Sequence, residues 1–247
     1  MNVVHAEWEL RNLGVVCFEV TVEQTDSFES VHAAIASLNV QYLVVRVPCG
    51  CSEILDRLQG LGLRVVETVF RCEHNGRFPL TSPQIRLLSA CAAQRMSDSD
   101  LECLKNEISD GMFTDDRVSN DAVFEKVSSR DRYWNWVRDE ISRGGSVYTV
   151  SYNTETIGFF CLSPKSGNRA SVCLSGLYSK HRRSGIGYVP HCLGVQTAID
   201  NGASRVITTV SANNSAALAL HMQLQHRIIQ SWYTLVLHRP LLESNIE

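Results

Sequence analysis

The sequence predicts an α/β protein with a mixed sheet (an α+β arrangement), and three observations support this. Strand-like apolar runs alternate with amphipathic helical segments over the first third of the 247 residues. From residue 147 the spacing of hydrophobic residues is that of consecutive strands, and polar turns separate these strands. From residue 170 the order is strand, helix, strand, helix, strand. With 44% hydrophobic and 20% charged residues, the chain has the composition of a globular protein.

The first 80 residues are expected to form a small α/β domain of their own. The breaker-rich segment "EHNGRFPLTSP" (73–83) that follows predicts a linker. Strand and helix patterns alternate before that linker. In chain order the predicted elements are a strand at 14–22, a helix at 27–38, a strand at 40–47, a helix at 52–62 and a strand at 63–72.

A second, larger domain is expected over residues 84–240. It begins with a predicted strand at "IRLLSACA" (85–92), and a polar, irregular loop is predicted at 111–124. Helices are predicted at 97–108, 128–145, about 187–201 and 214–224. Strands are predicted at 147–152, 157–162, 170–178, 205–211 and 231–237.

The stretch "SKHRRSGIGYVPHCL" has the features of an anion-binding turn. Gly185 and Gly187 let the backbone approach a phosphate without a Cβ in the way, and Arg182 and Arg183 add positive charge. Pro190 is tolerated only in the first turn of a helix, so the helix is expected to begin just before it. The amino terminus of that helix would then face the anion.

Charge is distributed unevenly along the chain, although the net charge is only −3. Residues 1–155 carry a net charge of −8, whereas residues 156–242 carry +7 with Asp200 as their single carboxylate. Such a segment favours a polyanionic ligand. The basic residues are dispersed and lack interleaved aromatic residues, which favours a compact phosphate-bearing cofactor over nucleic acid.

Several other classes of protein and site are excluded by pattern. The P-loop motif is absent, and Pro190 stands where a dinucleotide-binding turn needs its third glycine. No apolar run is long enough to span a membrane, and the first residues lack a secretory signal pattern. The nine cysteines and the histidines match no zinc-binding spacing. We therefore expect a cytoplasmic protein with reduced thiols, no metal site and no membrane insertion.

Two motifs together resemble the GNAT N-acetyltransferases. The arginine and two glycines of the turn match the family's Arg/Gln-x-x-Gly-x-Gly/Ala motif. Downstream, "NNSAALALH" resembles the next family motif, with Asn214, Ala217 three residues on and His221 where tyrosine is usual. A small N-terminal domain and the "DRYWNWV" helix add a narrower resemblance to TDP-fucosamine acetyltransferases, which acetylate a nucleotide-linked amino-deoxysugar.

The resemblance implies direct acetyl transfer from acetyl-CoA to an amine in a ternary complex. It places the pyrophosphate on the glycine turn, the pantetheine beside the strand before it, and the thioester carbonyl near the N–H of Leu177. The implied cofactor-binding residues are Leu177, Tyr178, Arg182, Arg183, Gly185, Ile186, Gly187, Tyr188, Asn214 and Ala217.

The catalytic residues are less directly indicated. His221 is expected as the proton donor to the thiolate, in place of the usual tyrosine; a packed or solvated histidine is the alternative. If His221 is only packed or solvated, the proton would come from water or from Tyr178, Tyr188 or Tyr233. Residues 156–242 offer no obvious carboxylate base, so either a carboxylate from the first 155 residues or a chain of water molecules would take the proton. Glu67 is the expected general base, and the alternative for it is a surface carboxylate without this role.

The expected acceptor is a nucleotide-linked amino sugar. Two alternatives stay open: another small amine, such as an amino acid, polyamine or antibiotic, and a module that binds acyl-CoA without turnover. The sequence leaves the oligomeric state open, a homodimer included.

Overall fold

The computed structural model describes residues 1–124 and 126–239, the side chains of 126–130 excepted. Its strands are β1 Asn2–His5, β2 Cys17–Thr21, β3 Tyr42–Pro48, β4 Arg64–His74, β5 Cys91–Arg95, β6 Ser146–Tyr152, β7 Glu155–Ser166, β8 Arg169–Leu177, β9 Arg205–Ser211 and β10 Arg227–His238. Its α-helices are α1 Glu7–Leu13, α2 Phe28–Ala36, α3 Ser52–Gly60, α4 Ser82–Ser89, α5 Asp98–Ser109, α6 Lys126–Ser142, α7 Tyr188–Asp200 and α8 Ser215–Gln223. The α/β class with a mixed sheet is confirmed.

One prediction is wrong: the strand expected at 85–92 is mostly the helix α4. Pro83 occupies the first turn of α4, and the Gln84 side chain accepts a hydrogen bond from the N–H of Thr81 at 2.9 Å. These two features are helix-start signals, whereas a short apolar run alone does not distinguish strand from helix. The first strand and helix, β1 and α1, are additional to the prediction.

The ten strands form a single sheet in the order β1-β2-β3-β10-β4-β9-β8-β7-β6-β5. The last strand of the chain, β10, lies between β3 and β4 and is antiparallel to both. Residues from the expected domains 1–80 and 84–240 therefore contribute to the same sheet. This arrangement brings the acidic first part of the chain next to the basic later part.

The helix α7 packs closely on the sheet and is fixed in position by a small residue. A Cβ added at Gly194 would lie 3.1 Å from the ring of Phe160, which is fully buried in β7. The same cluster includes Val189 and Val195 of α7. Because α7 cannot move along or away from β7 without losing this contact, its amino terminus is held at a defined point above the sheet.

The sheet opens between its two central parallel strands. β8 and β9 pair only from Arg169–Ser171 to Arg205–Ile207, after which the two strands diverge. Beyond that point β8 continues to pair with β7, and β9 continues to pair with β4. The sides of β8 and β9 that face each other thus present unpaired backbone groups across a gap.

None of the helices among the described residues combines the length and apolar character that crossing a bilayer requires.

Candidate active site

The glycine turn leads into α7 with free backbone donors. Within the described part of the chain, the N–H groups of residues 185–188 meet no backbone acceptor, whereas that of Val189 donates to Ile186 O. Gly185 has φ of +80°, a left-handed conformation that favours glycine, and Gly187 is the residue before the helix. Free N–H groups at the amino terminus of a helix form an anion site.

The two arginines of the turn have different surroundings. Arg182 points back toward α5, where its guanidinium lies 3.4 Å from Glu107 O and 3.6 Å from the Glu107 carboxylate. Arg183 is exposed, has φ of +66°, and forms no ion pair among the described residues. The structure thus joins Arg182 to the fold and leaves Arg183 available to a ligand.

A cleft runs between this turn and α8. It has a volume of about 640 Å³, and we call it the helix cleft. Its lining residues are Pro79, Leu80, Gln84, Gly185, Gly187, Tyr188, Ala216, Ala217, Ala219, Leu220, Gln223 and Leu224. Small residues on the α8 side leave space, and the side chain of Asn214 caps α8 by accepting from the N–H of Ala217 at 2.9 Å.

A larger cavity of about 760 Å³ lies where the gap between β8 and β9 meets the N-terminal part of the sheet. We call it the central cavity. Its wall includes Leu174 and Ser175 of β8, Ser211 of β9, and residues of β2, β3, β4, α1, α6 and the loop after α5. Four of the residues predicted from the sequence line it together: Glu67, Asn214, Ala217 and His221.

Glu67 is a carboxylate in a largely desolvated position on β4. Burial raises its pKa above the ordinary value, although a hydrogen bond with Ser211 acts in the opposite direction. A carboxylate with a raised pKa is a stronger base than an exposed one. Glu67 is half-buried and lines the central cavity, a position that suits proton abstraction from a ligand there.

His221 is buried, with 5% of its surface exposed, and both ring nitrogens have neighbours. Nδ1 lies 2.7 Å from Ala217 O, so it must carry a proton and donate. Nε2 lies 3.3 Å from Thr208 Oγ1. Burial lowers the pKa of His221. In the neutral ring, Nε2 therefore carries a lone pair, and only the protonated ring could donate from it.

The three tyrosines named as alternative donors lie elsewhere. Tyr178 is buried in the cluster beneath α5 and α6, with its hydroxyl unpartnered among the described residues. The hydroxyl of Tyr188 donates to Gln84 O at 3.2 Å, and Tyr233 packs in the core beneath α2 and α3. Among the described residues, the tyrosine that lines the central cavity is Tyr133 of α6, which was not predicted as a site residue.

A network of buried charges forms one wall of the central cavity. Arg117 bonds to both Glu9 and Glu19, and Arg132 bonds to Glu9 and, at 2.7 Å, to Asp116. Glu9 is fully buried and Arg117 is 5% exposed. Nothing in the local sequence marked these residues, because the glutamates lie 98 to 123 positions from the arginines that bind them.

The region that contains the candidate site is similar to known proteins. Residues 111–225 match the acetyltransferase (GNAT) family. The chain is similar in structure to a GCN5-related N-acetyltransferase from Sphaerobacter thermophilus, with a TM-score of 0.60 and 12% identity over 98% of this chain and 77% of that one. This is a GNAT fold.

Two further solved structures agree on the fold. A GCN5-related N-acetyltransferase from Kribbella flavida has a TM-score of 0.55 and 14% identity, over 90% of this chain and 80% of that one. A functionally unknown conserved protein from Staphylococcus epidermidis has a TM-score of 0.58 and 9% identity, over 91% and 85%. At such identities the likeness concerns the fold alone. No curated protein sequence matches the chain.

The GNAT match covers the glycine turn, the gap between β8 and β9, and α8 with Asn214 and His221. Glu67 and the residues of β2 and β3 on the wall of the central cavity lie before it. The candidate site thus combines a GNAT segment with side chains supplied by the N-terminal part of the chain.

Proposed function

We propose that the protein is an acyl-CoA-dependent N-acetyltransferase whose acceptor is a small amine. One arrangement carries the proposal: the turn with the free N–H groups lines the helix cleft, Ala217 lines both this cleft and the central cavity that contains Glu67, and the gap between β8 and β9 borders the central cavity. Such a path suits a ligand with an anionic end and a long, narrow arm. Acetyl-CoA has this shape, and when bound it would supply the acyl group.

The cofactor-binding residues expected from the sequence fit this ligand to different degrees. The backbone of Gly185, Ile186, Gly187 and Tyr188 would bind the pyrophosphate through its N–H groups, with Arg183 adding charge at the surface. Leu177 ends the open strand β8, whose free backbone groups would align the pantetheine. Arg182 and Tyr178 support the turn from inside, because their side chains point into the fold.

Glu67 would act as the general base. It would take a proton from the acceptor ammonium at its carboxylate, which leaves a neutral amine for acyl transfer. His221, as the proton donor, remains a prediction; it requires the doubly protonated ring because Nδ1–H is bonded to Ala217 O. Tyr133 is a second candidate donor, since it lines the central cavity and carries a hydroxyl group.

The charges in the central cavity favour a small amine with at most one acidic group. Five arginines and six carboxylates line it. Arg46, Arg117, Arg132 and Arg143 are already paired with carboxylates, and among the described residues only Arg71 of the five has no such partner. A single free cation can hold one anionic group, whereas a nucleotide-linked sugar brings at least two negative charges.

The nucleotide-linked amino-deoxysugar is the second candidate acceptor. It is supported by the N-terminal strands β2, β3 and β4 on the cavity wall, where the resemblance to TDP-fucosamine acetyltransferases would place the acceptor. The observation against it is the scarcity of unpaired cations described above.

The experiment is a thiol-release assay with acetyl-CoA against amino acids, polyamines, aminoglycosides and nucleotide-linked amino sugars. Turnover of a small amine and not of the sugar nucleotides supports the proposal, and the reverse supports the second candidate. Glu67→Gln should abolish turnover and keep acetyl-CoA binding, measured by calorimetry. Tight acetyl-CoA binding with no turnover of any amine would instead indicate a non-catalytic acyl-CoA module.

A further inference from the structure

Three histidines from separate segments of the chain converge beside the central cavity. His191 lies in the first turns of α7, His221 in α8, and His226 in the turn between α8 and β10. All three are buried, with exposed fractions of 2%, 5% and 5%. Buried polar groups such as imidazoles normally have hydrogen-bond partners.

The rings have nearly three-fold symmetry. Their centroids are 4.8 Å apart for His191–His221, 4.8 Å for His191–His226 and 4.6 Å for His221–His226, with interplanar angles of 56°, 53° and 54°. Three imidazoles that bind one ion through a nitrogen at about 2.0–2.1 Å have ring centres about 4.5–5.2 Å apart. The observed spacing falls within that range.

The ligand atoms also lie close together. Nε2 of His191 and Nε2 of His226 are 2.9 Å apart, and the candidate ligand atoms of the three residues lie within 4.8 Å of one another. An ion about 2.05 Å from both Nε2 atoms would have them at an angle of about 90°. The Nδ1 atom of His226 is buried and unpartnered among the described residues, so it is a second possible ligand atom of this ring, in place of Nε2.

Neighbouring groups orient the rings. The Nδ1–H of His221 donates to Ala217 O at 2.7 Å, which directs the Nε2 lone pair away from the helix backbone. An outer hydrogen bond of this kind fixes the tautomer of metal-binding histidines. The ring of His74 lies 4.5 Å from that of His226 with a tilt of 32°, but its nitrogens are bonded to Leu224 O and to the N–H of Gly76. His74 therefore supports the cluster without being available as a ligand.

We propose that His191, His221 and His226 form a site for a divalent transition-metal ion, with Zn²⁺ as the first candidate. Three neutral imidazoles with no described thiolate or carboxylate among them match three-histidine zinc sites, which keep one position open. That position would face the central cavity, because His191, His221 and Thr208 line it. The proposal does not depend on acyl transfer, but a metal bound at Nε2 of His221 would prevent this residue from donating the proton to the leaving thiolate. It also departs from the expectation, drawn from the sequence, that there is no metal site.

Metal binding is measured on the full chain after removal of any affinity tag and of bound metal with a chelator. We expect one equivalent of Zn²⁺ in competition with a chromogenic chelator, with affinity reduced by about 100-fold or more in His226→Gln and in His191→Gln. His32→Gln, at an exposed histidine, is the matched control and should bind as wild type does. Equal affinity in all variants, or no binding by the wild type, would overturn the proposal.

The nine cysteines are competing ligands, so the bound atoms need to be identified. The Co²⁺-loaded protein should lack thiolate charge-transfer absorption. X-ray absorption at the zinc edge should show nitrogen or oxygen neighbours with imidazole scattering. A sulfur shell in the wild type would overturn the proposal, and this measurement needs no variant to fold.

Discussion

The guanidinium of Arg117 lies 2.8 Å from the carboxylate of Glu19, although the two residues are 98 positions apart. Through this contact the loop after α5 is joined to β2 at the wall of the central cavity. Glu9 bonds to both Arg117 and Arg132, and Arg132 continues to Asp116. This wall of the central cavity is therefore assembled by buried charges from residues far apart in the chain.

Replacing Arg117 should strongly destabilise the fold. Arg117→Leu leaves Glu9 and Glu19 as buried carboxylates without their shared cation, and breaking a buried ion pair costs about 3–5 kcal/mol. Urea unfolding measures the loss. The exposed pair Arg57–Glu29 is the control, because Arg57→Leu should change the free energy of unfolding by less than about 1 kcal/mol. Similar effects of the two changes would contradict a structural role for the network.

The same network predicts loss of stability in acid. Burial alone would raise the pKa of Glu19 and of Asp116, but Arg117 and Arg46 lower the first, and Arg132 with Ser119 lowers the second, so both lie below their ordinary values of 4.5 and 3.8. Stability from a lowered carboxylate pKa is present above the unfolded-state value and is lost as pH falls through the folded-state value.

Burial lowers the pKa values of His191, His221 and His226, so the free energy of unfolding should already decrease below about pH 6.5, and the network should add a further decrease below about pH 4. Asp116→Asn should make the decrease shallower and also lower stability at pH 7. Glu53→Gln, at an exposed carboxylate, should leave the curve unchanged. Urea titrations at several pH values provide the measurement, and a wild-type curve that is flat to pH 3 would contradict the prediction.

Gly185 should matter for cofactor binding more than Gly187. Gly185 has φ of +80°, which strains any other residue by about 1–2 kcal/mol, whereas Gly187 has φ of −58°. A Cβ at Gly187 would meet only Leu177 Cδ1, at 4.0 Å. Gly185→Ala should therefore weaken coenzyme A binding about tenfold, measured by calorimetry, and Gly187→Ala should weaken it less. The opposite order would mean that contact with the ligand, and not backbone conformation, dominates.

Glu67 should set the acidic limb of the pH–rate profile. A base must be ionised to act, and burial raises the pKa of Glu67, so kcat/KM should increase as pH rises through that value. Glu67→Gln should lower kcat/KM by about 10²–10⁴-fold and remove this limb. Glu73→Gln, on the same strand outside the central cavity, is the control. An unchanged profile in Glu67→Gln would exclude Glu67 as the base.

The donor of the proton to the leaving thiolate can be identified by comparing two variants. If the proton comes from Tyr133, Tyr133→Phe should lower kcat by about 10²-fold or more and His221→Gln should lower it much less. The reverse order would assign the role to His221. Near-wild-type kcat in both variants would leave water as the donor.

Local patterns predicted most of the elements, with α1, α4 and β1 as the exceptions, but contacts between distant residues determined the site. The glycine after the helix and Pro190 in its first turn predicted the bounds of α7 to within a residue or two. This was possible because such signals act over one helical turn. The position of β10 between β3 and β4 has no local signal, since strand order depends on packing of the whole chain. His191 and His226, 35 positions apart, meet for the same reason.

Substitutions of the two arginines of the glycine turn should have different effects: one should lower stability, and the other should lower cofactor affinity. Arg182 reaches the carbonyl and carboxylate of Glu107, so Arg182→Met should lower the melting temperature by several degrees. The exposed Arg183 has no such contact, so Arg183→Met should raise KM for acetyl-CoA a few-fold with little change in melting temperature. The effect on KM should diminish at high salt, because an exposed cation acts through a screened field. A larger rise in KM from Arg182→Met, with unchanged stability, would show that Arg182 turns to the phosphate when the ligand binds.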